Sequence, residues 1–316
     1  MPKYEKMYKL EPSLYKRIWG GGKLCQYGKN CDCDGIGESW ELSFIKDMES
    51  SAMGIKLPEL FGRDAWGACC QGFDKFPVLT KFIDAKDALS VQVHPNDEYA
   101  LKNEGCYGKT EMWYVVSADE GAGLYMGLNR ECTPEEFSAA IEDGSIEQLL
   151  SFKRVKAGDV FFIPAGTVHA IGGGVLIYEI QQSSDLTYRI YDYMRRDKDG
   201  NPRELHIDKA IAVSSLYPYE PESWDGDEII GKCKYFITKK YDFDNSTRSF
   251  EVDNSSYLLF TVTSGNGFIS YTDDSGEAQR VIVKAGESYL FPANAGSFIS
   301  GGTMTVITVG TQEEQC

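Results

Sequence analysis

Short alternating or continuous apolar runs recur through the first two thirds of the chain: FPVLTKFIDA (76–85), LSVQVHP (89–95), EMWYVVSA (111–118), GLYMGL (123–128), DVFFIPA (159–165) and GVLIYEIQQ (174–182). Gly, Pro and Asp/Asn turn residues separate them. Runs this short at this spacing predict many β-strands in a barrel or sandwich. Two segments break the rhythm. Residues 133–152 (TPEEFSAAIEDGSIEQLLSF) open with a Thr cap, Pro at the first helical position and Glu at the capping-box position, which predicts a helix interrupted at Gly144. Residues 205–215 (LHIDKAIAVSS) predict a second helix after the charged turn RRDKDGNPRE, at the passage between two domains.

The β pattern is partly a repeat. Residues 156–171 read KAGDVFFIPAGTVHAI and residues 284–299 read KAGESYLFPANAGSFI; upstream of each lies a matching hairpin pattern, EMWYVVSADEGAGLYM and SYLLFTVTSGNGFISY. One architectural unit is therefore present twice. The pattern Gly158, Asp159, strand, Pro164, Gly166, His169 resembles the second motif of the cupin family, whose members are small antiparallel barrels that bind metal inside. The resemblance implies a mainly β fold of two cupin-like (jelly-roll) β-barrels with a small helical insertion at about 133–152. Ser297 stands in the second copy where His169 stands in the first, and no His follows His206. The expected division is a catalytic domain at 1–215 and a cupin-like domain without metal ligands at 216–316.

Charge narrows the partners. With 32 Lys and Arg against 48 Asp and Glu the net charge is −16, which repels nucleic acid and anionic membranes but leaves room for a few converging cations in a cleft. The N-terminal stretch has no apolar core of signal-peptide type and no run reaches a bilayer-spanning length, so a cytoplasmic location is expected. Nine scattered Cys are expected as reduced thiols, with Cys31 and Cys33 giving only a weak metal signal.

Candidate chemistry rests on three His. Gln92 and His94 are two apart on a predicted strand and so share a face; Glu111 begins another strand pattern and His169 ends a third. Two His, one Glu and one neutral oxygen suit zinc or another divalent first-row ion, although spacing alone equally describes histidines satisfied within a core.

Three ordered motifs, Ser90-Val91-Gln92-Val93-His94-Pro95, Lys109-Thr110-Glu111-Met112 and Pro164-Ala165-Gly166-Thr167-Val168-His169-Ala170, resemble type I mannose-6-phosphate isomerases, in particular their short bacterial branch. Tyr15-Lys16-Arg17-Ile18-Trp19-Gly20-Gly21 and Gly37-Glu38-Ser39-Trp40-Glu41-Leu42-Ser43 are similar to N-terminal segments of that family. The resemblance implies one Zn²⁺ per chain, other divalent ions being alternatives, on Gln92, His94, Glu111 and His169. It further implies interconversion of mannose 6-phosphate and fructose 6-phosphate through an enediol-type intermediate. Arg189, Lys109, Glu179 and Asp185 are the implied catalytic residues, Glu179 and Asp185 as proton carriers or as orienters of Arg189. Ser90, Lys109 and Arg189 are the implied substrate-binding residues, in a monomer or small homo-oligomer. Tyr188, Tyr191 and Tyr193 are expected to pack the core rather than line the cleft. Two other readings share parts of the pattern: an iron-dependent cupin oxygenase, since two His and a carboxylate also serve Fe(II), and a non-catalytic sugar-phosphate-binding bicupin.

Overall fold

The computed structural model describes residues 4–29, 35–196, 200–224, 226 and 228–312. In the first unit, two antiparallel sheets face each other. One has six strands in the order Val160–Ile163, Glu111–Ala118, Val175–Gln182, Val78–Ala85, Ser13–Gly21, Ile36–Leu42; the other has five, Leu150–Arg154, Gly123–Leu128, His169–Ile171, Val91–Val93, Tyr188–Tyr191. Ile83, Trp113, Val115 and Ile177 from the first meet Leu124, Met126 and Ile171 from the second in a shared core.

Alternation decides what each strand shows to which side. On the five-stranded sheet, Val91, Val93, Ala170, Tyr188 and Ile190 point outward and are covered by Phe137, Ala140 and Ile141 of one helix and Ala210 of another. Gln92, His169 and Arg189 are left for the inner face. The six-stranded sheet is buried on both faces, which is why its strands read as near-continuous apolar runs. Its outer side chains, among them Val78, Phe82, Met112 and Tyr178, pack on Phe236, Tyr257, Leu259, Leu290 and Ile307 of the second unit. The second unit thus covers the back of the sheet that carries the site.

That second unit is one seven-stranded sheet dominated by Ile237–Val252, Leu258–Thr272 and Gly296–Gly310. Register shifts at Asp244/Ser246 and Val262/Ser264 bend these strands around a core of Tyr241, Phe243, Phe260, Ile269 and Phe298. The short strand Tyr8–Lys9 belongs to this sheet and pairs with Ser288–Phe291. Among the described residues neither unit closes hydrogen bonding into a ring, so the expected barrels are an open two-sheet sandwich and a curled single sheet.

The repeat survives in the backbone. Gly158 and Gly286 both take positive φ (93° and 88°), and at the next turn Gly166 at 91° is matched by Asn294 at 67°. The acidic residue ties each turn: Lys156 N donates to Asp159 at 2.9 Å and Lys284 N donates to Glu287 at 3.0 Å.

The first predicted helix is shorter than expected. Pro134–Glu142 is helical, with both bonds of the Thr133/Glu136 capping box present; Ile146–Leu149 is a 3₁₀ turn. Leu150–Phe152 are strand, because they pair with Gly123–Leu128. The second forms at Ile207–Val213. Cys25 is disulfide-bonded, against the expectation of reduced thiols throughout, whereas Cys70, Cys106, Cys132 and Cys233 are free. Cys31 and Cys33 lie outside the described residues.

Candidate active site

Strand register assembles the site. Gln92, at the centre of Val91–Val93, sits opposite His169 on one side and Arg189 on the other. His94 follows the same strand and its carbonyl accepts from Gly166 N at 2.8 Å, which ties it to the turn that delivers His169. From the facing sheet comes Glu111, the first residue of its strand. Lys109 precedes that strand, so strand alternation does not place it. Instead Gly108 packs so tightly that a Cβ would lie 2.5 Å from Pro95 O, and Lys109 N donates to the same carbonyl at 2.9 Å.

The ligand atoms of His94, Glu111 and His169 lie within 4.8 Å of one another, and all three residues are buried. Glu111 Oε2 is 3.5 Å from His94 Nε2, and Oε1 is 3.3 Å from His169 Nε2. His94 Nδ1 lies 2.9 Å from Leu186 O and His169 Nδ1 2.9 Å from Thr167 O. Both rings therefore donate from Nδ1 to a carbonyl and turn an Nε2 lone pair inward. Burial, then the positive Lys109, keeps His94 well below its ordinary range; burial lowers His169 to about 4. Both are neutral, as a metal ligand must be. Among the described residues His94 Nε2 is buried with no hydrogen-bond partner. The amide nitrogen of Gln92 stands 3.2 Å from His169 Nε2, and a half-turn of the amide puts its oxygen there. The donor set fits a divalent cation.

Next to these atoms runs a buried alternation of charge. Lys109 Nζ is 2.9 Å from Glu111 and 3.5 Å from Glu179; Lys81 Nζ is 3.1 Å from Glu179 on the other side. Trp113 Nε1 donates to Glu179 at 2.8 Å. Burial works to raise the Glu179 carboxyl, but Lys109 and Lys81 outweigh it and hold the group at about 2. Glu111, with less compensation and with Glu179 nearby, is pushed by burial to about 7. Burial opposes the charge on Lys109, yet the two carboxylates raise its pKa, so it is an ammonium.

These groups open onto a cleft of about 430 Å³ whose lining includes Ser90, Gln92, Lys109, Glu179, Asp185 and Arg189. Every proposed catalytic and substrate-binding residue is therefore in one place. Neither Glu179 nor Asp185 bonds to Arg189, whose Nη1 donates to Glu204 O at 2.8 Å. The Arg189 backbone is held by His206, which accepts from its N–H at Nδ1 (3.2 Å). Tyr188 donates to Glu104 at 2.7 Å and Tyr191 packs on Tyr193; none of the three lines the cleft. Arg17, Glu38, Trp40, Lys81 and Arg203 also line it and were assigned no role from the sequence.

Residues 7–114 match the family model "Phosphomannose isomerase type I, catalytic domain". A mannose-6-phosphate isomerase of Bacillus subtilis is 38% identical, over 91% of this chain and 93% of its own; one of Streptococcus mutans is 35% identical, over 96% and 98%. The chain belongs to the type I phosphomannose isomerase family. Its fold is that of the crystal structure of the B. subtilis mannose 6-phosphate isomerase, with TM-score 0.86 at 33% identity over 96% of this chain and 99% of that one. The segment matched by the phosphomannose isomerase model holds Gln92, His94, Lys109 and Glu111; His169 and Arg189 lie beyond it. Among the described residues no helix is long and apolar enough to cross a membrane.

Proposed function

We propose that this chain interconverts mannose 6-phosphate and fructose 6-phosphate, with the cation on Gln92, His94, Glu111 and His169. The observation that carries the reading is the orphaned, buried Nε2 of His94, grouped with Glu111 and His169 beside a cleft lined by Lys109 and Arg189. A divalent ion bound there, zinc foremost, would supply Lewis acidity that polarises the sugar carbonyl; a solved mannose 6-phosphate isomerase of the same fold is described as bound with zinc and yttrium.

Aldose–ketose exchange moves a proton between C2 and C1 and builds negative charge on the adjoining oxygens. Lys109, kept charged by Glu111 and Glu179, donates a hydrogen bond to those oxygens. Arg189, across the strand from Gln92, offers a fork to two of them, and Ser90 a hydroxyl. Glu179 is tied to two lysines and an indole and so serves to position Lys109 rather than to carry protons. Asp185 lines the cleft, and its carboxylate has no ion-pair or hydrogen-bond partner among the described residues, which makes it the base of choice. We assign the catalytic unit to 1–215, apart from the strand Tyr8–Lys9 that joins the other sheet, and the covering unit to 216–316, in a cytoplasmic monomer or small homo-oligomer.

The test is isomerase activity on mannose 6-phosphate before chelation, after it, and with zinc returned, alongside His94→Ala. Activity lost and regained with the metal, and a folded but silent variant, are expected. A chelated enzyme of full activity would refute the metal's role, and absence of turnover in every metal state would refute the isomerase.

A further inference from the structure

Arg17, on a strand, and Arg203, on a loop, reach the same cleft and are mounted alike. Arg17, on the strand Ser13–Gly21 of the six-stranded sheet, docks side-on: Nε and Nη2 both donate to Glu38 Oε2, at 3.1 and 2.6 Å. Arg203 follows the edge strand Tyr188–Tyr191 of the other sheet; its Nε donates to Asp192 Oδ2 at 2.6 Å and its Nη2 to Oδ1. In each case Nη1 is left without a hydrogen bond among the described residues. Each carboxylate also serves a second cation. Glu38 feels Lys81 in addition to Arg17, and Asp192 accepts from Arg195 in addition to Arg203. Neither arginine is therefore fully neutralised by its mount.

Exposure separates them from the other lysines of the cleft. The Lys109 and Lys81 side chains are 4% and 10% exposed and lie between carboxylates, whereas Arg17 and Arg203 are 33% and 23% exposed. A hexose 6-phosphate carries its reacting carbons and its dianion at opposite ends. With C1 and C2 at the buried ligand cluster, the phosphate extends outward, to where a preset guanidinium edge meets solvent.

We propose that Arg17 and Arg203 form the seat of the substrate's phosphate, one guanidinium from a strand and one from a loop, each presenting its free Nη1 edge to the dianion. The assignment rests on the isomerase reading above. Glu38 and Asp192 are positioning residues: they fix each fork before substrate arrives, so little side-chain freedom is lost on binding. The seat also selects for phosphorylated over free sugars, since without an anion two cations line one cleft not fully compensated.

The experiment is calorimetric titration of the metal-loaded protein with fructose 6-phosphate and with inorganic phosphate, together with steady-state kinetics on mannose 6-phosphate. Arg17→Gln and Arg203→Gln should each weaken both ligands about tenfold or more. They should raise KM by a similar factor and leave kcat within about threefold. Arg17→Lys and Arg203→Lys should recover part of the loss. Should Arg17→Gln prove unstable because Glu38 is left buried, the double variant Arg17→Gln/Glu38→Gln carries the same expectation. Phosphate affinity equal to wild type in the Gln variants overturns the seat, as does a fall in kcat with unchanged phosphate affinity. A protein that binds phosphate through these arginines but never turns over mannose 6-phosphate keeps the seat and refutes the isomerase.

Discussion

Glu179→Gln removes one charge from the middle of the buried series Lys81, Glu179, Lys109, Glu111 while preserving shape. The indole of Trp113 keeps an acceptor, but two buried ammonium groups lose the carboxylate that stands 3.1 Å from one and 3.5 Å from the other. Holding a carboxyl at about 2 instead of its ordinary 4.5 corresponds to about 3 kcal/mol of folding stability at neutral pH. Breaking a buried ion pair from one side costs about 3–5 kcal/mol, so both routes give a similar figure. The sign follows from the direction of the shift. A lowered carboxyl contributes its stability in full above 4.5 and loses it as pH falls toward 2. Urea unfolding of wild type and variant, at pH 7 and in steps down to pH 3, should show a gap near 3 kcal/mol that shrinks to about half or less at the acid end. A gap under about 1 kcal/mol at pH 7, or one unchanged by acid, would refute the claim that Glu179 is the ionised anchor of the two lysines.

Arg189→Lys keeps a charge but not the fork; kcat/KM for mannose 6-phosphate should fall by about a hundredfold with bound metal unchanged by elemental analysis, and a fall under about threefold would remove Arg189 from the reacting atoms. Lys29→Met strands the buried Glu41 carboxylate, 2.7 Å from Lys29 Nζ, with Ser39 and Ser288 as its side-chain donors among the described residues; denaturant melts should show a loss of about 3 kcal/mol, largely restored in Lys29→Met/Glu41→Gln. Thr133→Ala removes one half of a capping box on an exposed helix start and should cost about 1 kcal/mol by thermal melting while leaving isomerase rates alone.

Three of the four proposed metal ligands were legible because they sit inside a local pattern: period two for Gln92 and His94, and a Pro-x-Gly-x-x-His turn for His169. The charged wall was not. Lys81 matters because strand register sets Trp40 on one side of it and Glu179 on the other, and nothing local announces that pairing. Its one signal was a lone Lys inside the apolar run VLTKFIDA, a charge where both faces of a strand are covered. Arg203 was hidden likewise: its mount Asp192 is only 11 residues away, but Arg17, which lines the same cleft, belongs to a distant part of the chain. The failed end of the first helix has the same origin: Leu150–Phe152 obey the partner strand Gly123–Leu128 rather than their own helical pattern. Asp185 and Glu179 fell in one sequence window, yet three-dimensional surroundings give one an open carboxylate and the other a clamped one.

The pairing of Tyr8 with Leu290 gives this molecule an order of assembly. Residues 8–9 are made long before their partners at 289–290, so during synthesis the strand waits, unpaired, until that later stretch has emerged. The back of the catalytic sheet waits as well, since Phe236, Leu259, Leu290 and Ile307 are what cover Phe82 and Tyr178. Contacts so distant along the chain are slow to form, and until they do an oily sheet face and a lone strand are open to other chains. Catalysis belongs to the front of that sheet, while escape from aggregation during biogenesis depends on how soon the second unit arrives to shut its back.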